Sequence, residues 1–109
     1  MDKLDESIKR ICEFRDERDW KQFHTPKDLT LGMIVEAGEI AEHFLWKNTE
    51  EQLTPTPEEH EKIGNELADV FHYVLLLAER LNINLSEASK RKIEINKKVP
   101  SRKMQRQKG

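Results

Sequence analysis

The chain has 109 residues, a net charge of −2 and nearly equal hydrophobic and charged fractions, 36% and 37%. This length predicts one domain with a modest core, and the single Cys12 excludes an internal disulfide and fits a reducing compartment. The charged N-terminus has no signal-peptide pattern, and the longest apolar run, residues 74–78, is too short to span a bilayer. We therefore expect a cytoplasmic protein with no membrane partner.

The spacing of apolar residues predicts four helices, at residues 4–20, 26–46, 57–81 and 86–99. Start signals support two of them: Thr25 followed by Pro26, and Thr56 with Glu59 three residues later, which forms a capping box. The segment 47–57 is interpreted as a polar loop. Because no strand pattern or repeat occurs, we predict an all-α fold, a four-helix bundle.

The charge is unevenly distributed along the chain. Nine Lys or Arg residues and one acid, Glu94, occur between residues 90 and 109. Pro100 ends the helical pattern. We therefore divide the chain into an all-α domain at residues 1–100 and a basic, flexible tail at residues 101–109.

Two pairs of carboxylates stand out within the apolar pattern. The second predicted helix is apolar on nearly every side, which is typical of a buried helix, and Glu36 and Glu39 lie one turn apart on its remaining narrow face. Glu66 and Asp69 repeat this spacing on the third helix, and Tyr73 continues their line. Four carboxylates around one space would repel each other, and divalent cations would relieve that repulsion. Oxygen ligands favour Mg²⁺, Mn²⁺ or Ca²⁺ over zinc, and carboxylate-bound Mg²⁺ commonly binds polyphosphates.

These carboxylates belong to a wider sequence resemblance. The E-x-x-E and E-x-x-D pairs are similar to the metal motif of the MazG-like, all-α nucleoside triphosphate pyrophosphatases. Several segments in the same order resemble the dCTP pyrophosphatase branch of that family: residues 18–24 (RDWKQFH), 35–42 (VEAGEIAE), 44–47 (FLWK), 66–70 (ELADV) and 92–96 (KIEIN). Many MazG-type motifs begin with two adjacent acids, whereas Val35 occupies the first of those positions here. The dCTP pyrophosphatase branch also lacks that acid.

The resemblance implies a role for individual residues. It implies that four carboxylates bind Mg²⁺, with Mn²⁺ as a substitute: Glu36, Glu39, Glu66 and Asp69. Glu36 or Glu39 is also expected to orient the attacking water as a base. It also implies that six residues contact the substrate: Trp20, His24, Trp46, Tyr73, Lys92 and Asn96. Aromatic rings suit stacking on a base, Asn suits a pyrimidine edge and Lys suits a phosphate. His43 and His72 match no motif position and are interpreted as structural.

The sequence therefore predicts a Mg²⁺-dependent nucleotide pyrophosphohydrolase. Its substrate would be a deoxynucleoside triphosphate, dCTP or a modified dCTP by resemblance, and its products the monophosphate and pyrophosphate. We also expect a homo-oligomer, because four helices of this length cannot cover all the apolar residues of the second and third helices. A dimer is the minimum, and the family implies a tetramer.

Two other classes of function remain open. Asp69-x-x-His72 matches half of the motif of a di-metal, ferritin-type bundle, but the second half is missing because Glu39 and His43 are four residues apart. The basic C-terminal segment could instead belong to a nucleic-acid-binding module. It contains no recognisable nucleic-acid-binding motif, so no specific nucleic acid partner is expected.

Overall fold

The computed structural model describes residues 3–99, and this part of the chain is helical without any β-strand. The helices are α1 (Lys3–Glu17), α2 (Pro26–Glu42), α3 (Thr49–Leu53), α4 (Pro57–Arg80) and α5 (Leu85–Lys97), with a 3₁₀ helix at Lys21–Phe23. The all-α prediction is confirmed. The predicted tail and the helix stop at Pro100 lie outside the described residues. Within those residues, no helix is long and apolar enough to cross a membrane.

Side-chain caps determine where the long helices begin. The Thr25 hydroxyl accepts a hydrogen bond from the Asp28 N–H at 3.1 Å, and Thr56 and Glu59 form the predicted capping box. The N-cap of α5 is Asn84, so this helix begins at Leu85, one residue before the predicted start. Asparagine satisfies the free N–H groups of a first turn as well as serine does, and here it stands earlier in the chain.

A left-handed residue closes the C-terminus of α1. Asp19 has a φ of 56°, and the N–H of Trp20 donates to the carbonyl of Arg15 at 3.1 Å. This arrangement is a Schellman motif, which ends a helix and redirects the chain. The first helix, predicted to reach residue 20, accordingly ends at Glu17. Asn82, also with a φ of 56°, follows α4 in the same way.

The segment between α2 and α4 differs from the prediction. α2 ends at Glu42 rather than at residue 46, because the backbone continues in three-residue turns, beginning with the His43 N–H donating to the Ile40 carbonyl at 3.2 Å. The predicted loop contains helix α3, whose N-cap Asn48 shares a capping box with Glu51. Five residues are too few to show an apolar period, so the capping box is the main sequence signal for this helix.

Helix α4 is the centre of the structure. Both α1 and α2 pack against it, whereas α5 contacts the other helices only slightly. The buried apolar residues among positions 3–99 are few: Leu29, Leu75, Leu76 and Ala78. Helix α5 thus stands largely apart from the other three long helices, and their arrangement as a four-helix bundle stays a prediction.

Within residues 3–99, much of the apolar surface of α2 is exposed, contrary to the prediction of a buried helix. Leu31, Ile34 and Val35 are 50%, 66% and 59% exposed. The radius of gyration, 16.6 Å, also exceeds the roughly 13 Å expected for a compact domain of this length. The described part of the chain therefore leaves much of the apolar surface of α2 uncovered.

Candidate active site

A cavity of about 240 Å³ opens between α1, the two residues that flank the 3₁₀ helix, α2 and α4. It brings together five of the residues singled out from the sequence: Trp20, His24, Glu36, Asp69 and Tyr73. Its other lining residues are Ile11, Phe14, Arg15, His72 and Leu76. Residues expected to contact a nucleoside and residues expected to bind metal therefore meet at one cavity.

Trp20 is positioned by the way α1 ends. The Schellman motif turns the chain at Asp19, and the indole then packs against the ring of Phe14, with ring centroids 5.4 Å apart and planes at 83°. An apolar contact between these two positions commonly accompanies the motif. Edge-to-face packing suits aromatic pairs, so Phe14 supports one face of the cavity wall.

Tyr73 approaches α2 closely because of a glycine. A Cβ atom added to Gly32 would lie 2.6 Å from Cζ and 2.9 Å from the hydroxyl oxygen of Tyr73, closer than side chains can tolerate. Gly32 therefore lets the phenol of α4 lie against the backbone of α2. This contact places a second aromatic side chain at the cavity.

His24 carries an unsatisfied polar atom. Its Nδ1 is buried and has no hydrogen-bond partner among the described residues. Burial lowers the pKa of His24, and the positive charges of Arg15 and Arg80 lower that pKa further. The imidazole is therefore neutral at pH 7, and Nδ1 offers one hydrogen-bonding position to a ligand.

The four predicted metal-binding carboxylates interact across α2 and α4. The pKa of Glu36 is raised, first by its partial burial and then by the negative charges of Glu39 and Asp69, with Glu66 contributing less. This effect on Glu36 requires the other carboxylates to lie near it, because the repulsion falls with distance. Glu36 thus lies within electrostatic range of the other three carboxylates, although Glu39 and Glu66 do not line the cavity.

Glu66 has two oxygens in different environments. Oε1 lies 2.7 Å from Nε2 of His43, whereas Oε2 is buried and has no hydrogen-bond partner within residues 3–99. A buried carboxylate oxygen without a partner is costly, and a cation would remove that cost. Between positions 3 and 99, no three His, Cys, Asp or Glu side chains already converge as metal ligands. The chemistry of the donor set fits a divalent cation, although the side chains are not drawn together around one point.

Three residues expected to contact the substrate lie away from this cavity. Trp46 is in the turn after α2 and is 94% exposed. Lys92 and Asn96 are on α5, which packs only slightly against the rest of the chain. Their contacts with substrate stay predictions.

Other residues at the site were not assigned a role from the sequence. Arg15 follows Ile8 and Ile11 on the apolar side of α1, and a charged residue in an apolar stripe is the signal that could have identified it. His72, interpreted as structural, lines the cavity beside Asp69. Asp69 and His72 also form the half-motif on which the di-metal alternative depends.

Comparison with known proteins places this site in a family context. The model of the MazG-like family matches residues 33–108. The chain is 42% identical over 96 residues to dCTP pyrophosphatase 1 of Mus musculus, and 41% identical over 97 residues to dCTP pyrophosphatase 1 of Homo sapiens. These alignments cover 84% and 85% of the chain. They cover 56% of each relative, so the chain spans little more than half the length of these curated relatives.

A solved structure extends the similarity to the fold. The crystal structure of a pyrophosphatase from Archaeoglobus fulgidus matches with a TM-score of 0.83 and 34% sequence identity, covering 92% of this chain and 94% of that one. The family resemblance inferred from the carboxylate motifs and their flanking segments is confirmed. Because the family model matches well over half of its residues, the chain belongs to the MazG-like family.

Proposed function

We propose that the protein is a nucleoside triphosphate pyrophosphohydrolase that uses Mg²⁺ and acts on dCTP or a modified dCTP. The observation that carries this proposal is a single cavity in which carboxylates of α2 and α4 adjoin aromatic side chains. A cation site suits a triphosphate, and flat aromatic faces suit a base. The similarity to the dCTP pyrophosphatases of Mus musculus and Homo sapiens supports both the substrate and the release of pyrophosphate.

The carboxylates and the cation would have different roles in the reaction. Glu36, Glu39, Glu66 and Asp69 would hold Mg²⁺, which when bound neutralises the phosphate oxygens and the charge that develops on the leaving pyrophosphate. Glu36 or Glu39 would orient the attacking water and accept its proton. Trp20, His24 and Tyr73 would enclose the nucleoside.

A homo-oligomer, a dimer at least and a tetramer by family resemblance, is part of the same proposal. An assembly would cover the exposed apolar face of α2, and it would give α5 a surface to pack against. Trp46, Lys92 and Asn96 would then contact substrate bound to a neighbouring chain. Light scattering at micromolar concentration tests this expectation, and a stable monomer that is fully active would contradict it.

The reaction is tested with a panel of canonical and 5-substituted nucleoside triphosphates in the presence of Mg²⁺, with the products separated by chromatography. We expect pyrophosphate and monophosphate, with deoxycytidine triphosphates preferred. Release of orthophosphate would indicate a different reaction and refute the proposal. Equal turnover of every triphosphate would remove the dCTP assignment alone. The variant Glu66→Gln, prepared in parallel, controls for contaminating phosphatases.

A further inference from the structure

Arg15 is an unusual residue for the wall of this cavity. Among residues 3–99 it is the only charged or polar residue that is buried, with 3% of its surface exposed. Burying a cation is costly unless the cation is paired. Here Nη1 donates to Oε2 of Glu79 on α4 at 2.8 Å, and Nε donates to Oδ1 of the neighbouring Asp16 at 3.0 Å. The guanidinium is therefore held from two sides.

The pairing leaves donor capacity unused. In the described part of the chain, the hydrogen bonds of Arg15 engage Nε and Nη1, and none engages Nη2. An ion pair needed only to join α1 to α4 would be replaceable by apolar residues at little cost. A fixed, planar donor at the edge of a cavity has a second use, because guanidinium groups recognise acceptor atoms in pairs. Arg15 shares this cavity with Trp20, His24 and Tyr73.

We infer that Arg15 determines base specificity by donating to the acceptor edge of a cytosine, and that Glu79 is its positioning residue. The inference rests on the proposed function, since it requires a nucleoside in the cavity. Cytosine presents two adjacent acceptors, O2 and N3, and one donor, the 4-amino group. Arg15 supplies donors for O2 and N3. Nδ1 of His24, which has no partner among the described residues, can accept from the 4-amino group when the proton is on Nε2. Uracil carries a hydrogen on N3, which would oppose the N–H groups of Arg15.

The test compares dCTP with dUTP, which share the sugar and the triphosphate. For Arg15→Met we expect the ratio of kcat/KM values, dCTP over dUTP, to fall about 10-fold or more, mainly through a higher KM for dCTP, since a hydrogen bond to a charged group is lost. Glu79→Gln should lower the ratio in the same direction by less. Arg18→Met is the matched control. Arg18 lies over the ring of Phe14 without lining the cavity, so its loss should leave the ratio unchanged.

A purely structural ion pair would behave differently. It would lower activity on both substrates equally, and an unchanged ratio in folded Arg15→Met would overturn the inference. If Arg15→Met fails to fold by circular dichroism, Arg15→Lys retains the charge without the planar pair of donors, and an unchanged ratio in that variant is equally decisive.

Binding without turnover separates this inference from the proposed function. Titration of the wild-type protein with dCMP and with dUMP, followed by tryptophan fluorescence, should show tighter binding of dCMP and loss of that preference in Arg15→Met. If no triphosphate is hydrolysed, the proposed function fails and this titration alone decides the role of Arg15. Equal affinity of the wild-type protein for the two monophosphates would refute it.

Discussion

Gly32 offers a sharp test of how α2 and α4 form the cavity. Replacement of a helical glycine by alanine stabilises a helix by about 1 kcal/mol when the new methyl group has room. At Gly32 that methyl group would lie 2.6 Å from the Tyr73 ring, and overpacking of this kind costs about 1–3 kcal/mol. Gly64→Ala is the matched control, because a Cβ at Gly64 meets nothing within 4 Å. We therefore expect Gly32→Ala to be less stable than Gly64→Ala by about 1–3 kcal/mol.

The assay is urea unfolding at a fixed protein concentration, since an oligomer would make stability depend on concentration. Catalytic measurements should agree with it: displacement of Tyr73 from the cavity should lower kcat/KM in Gly32→Ala and not in Gly64→Ala. In a double-mutant cycle, the effect of Gly32→Ala on stability should change sign. In a Tyr73→Ala background the clash is absent, so Gly32→Ala should become stabilising. Equal stability of the two single variants, or no reversal in the cycle, would refute the close contact between Gly32 and Tyr73.

Three further predictions concern the metal site, pH and the substrate. Glu66→Gln should abolish turnover, and Mg²⁺ should raise the melting temperature of the wild-type protein but hardly that of the variant; near-normal activity at saturating Mg²⁺ would exclude the four-carboxylate site. Hydrogen bonds from Lys47 and Thr56 lower the pKa of Glu59 to about 2. Because this value is below the unfolded one, the ionised group stabilises the fold above about pH 4.5, and the contribution is lost as the pH falls towards 2. Glu59→Gln should therefore lower the melting temperature at pH 7 but not near pH 2, and an equal loss at both would show that the charge is not responsible. Trp46→Ala should reduce kcat/KM about 10- to 100-fold through loss of stacking, with little change in stability because Trp46 is 94% exposed; an unaltered kcat/KM would remove it from the site.

Local signals in the sequence account for much of the fold. Thr25 with Pro26, and Thr56 with Glu59, mark helix starts that depend only on neighbouring residues, and the structure begins α2 and α4 at these signals. The end of α2 was not predictable in the same way. The apolar pattern of α2 continues to Trp46. Such a pattern does not distinguish four-residue α-helical turns from three-residue turns of the backbone.

The residues of the candidate site also differ in whether a local sequence pattern indicates them. Glu36 and Asp69 are identifiable because each belongs to a pair of acids three residues apart on one helix, Glu36 with Glu39 and Asp69 with Glu66. Both Glu36 and Asp69 line the cavity. The position of Arg15 in the apolar stripe of α1 is a local signal, but the role of this residue depends on Glu79, which lies 64 residues away in the sequence. No local pattern indicates such a pair. The predicted covering of α2 by a second copy stays a prediction, since Ile34 is 66% exposed in the described part of the chain.

The Schellman closure of α1 has a thermodynamic consequence for ligand binding. Because the main-chain hydrogen bond from Trp20 to Arg15 and the left-handed Asp19 fix the position of the indole's backbone, this wall would already be in place when the proposed nucleotide substrate binds. Ordering a mobile aromatic side chain on binding costs about 0.5–1.5 kcal/mol, and a preorganised one largely avoids that loss. The entropy lost on binding should therefore come mostly from the nucleotide and little from Trp20.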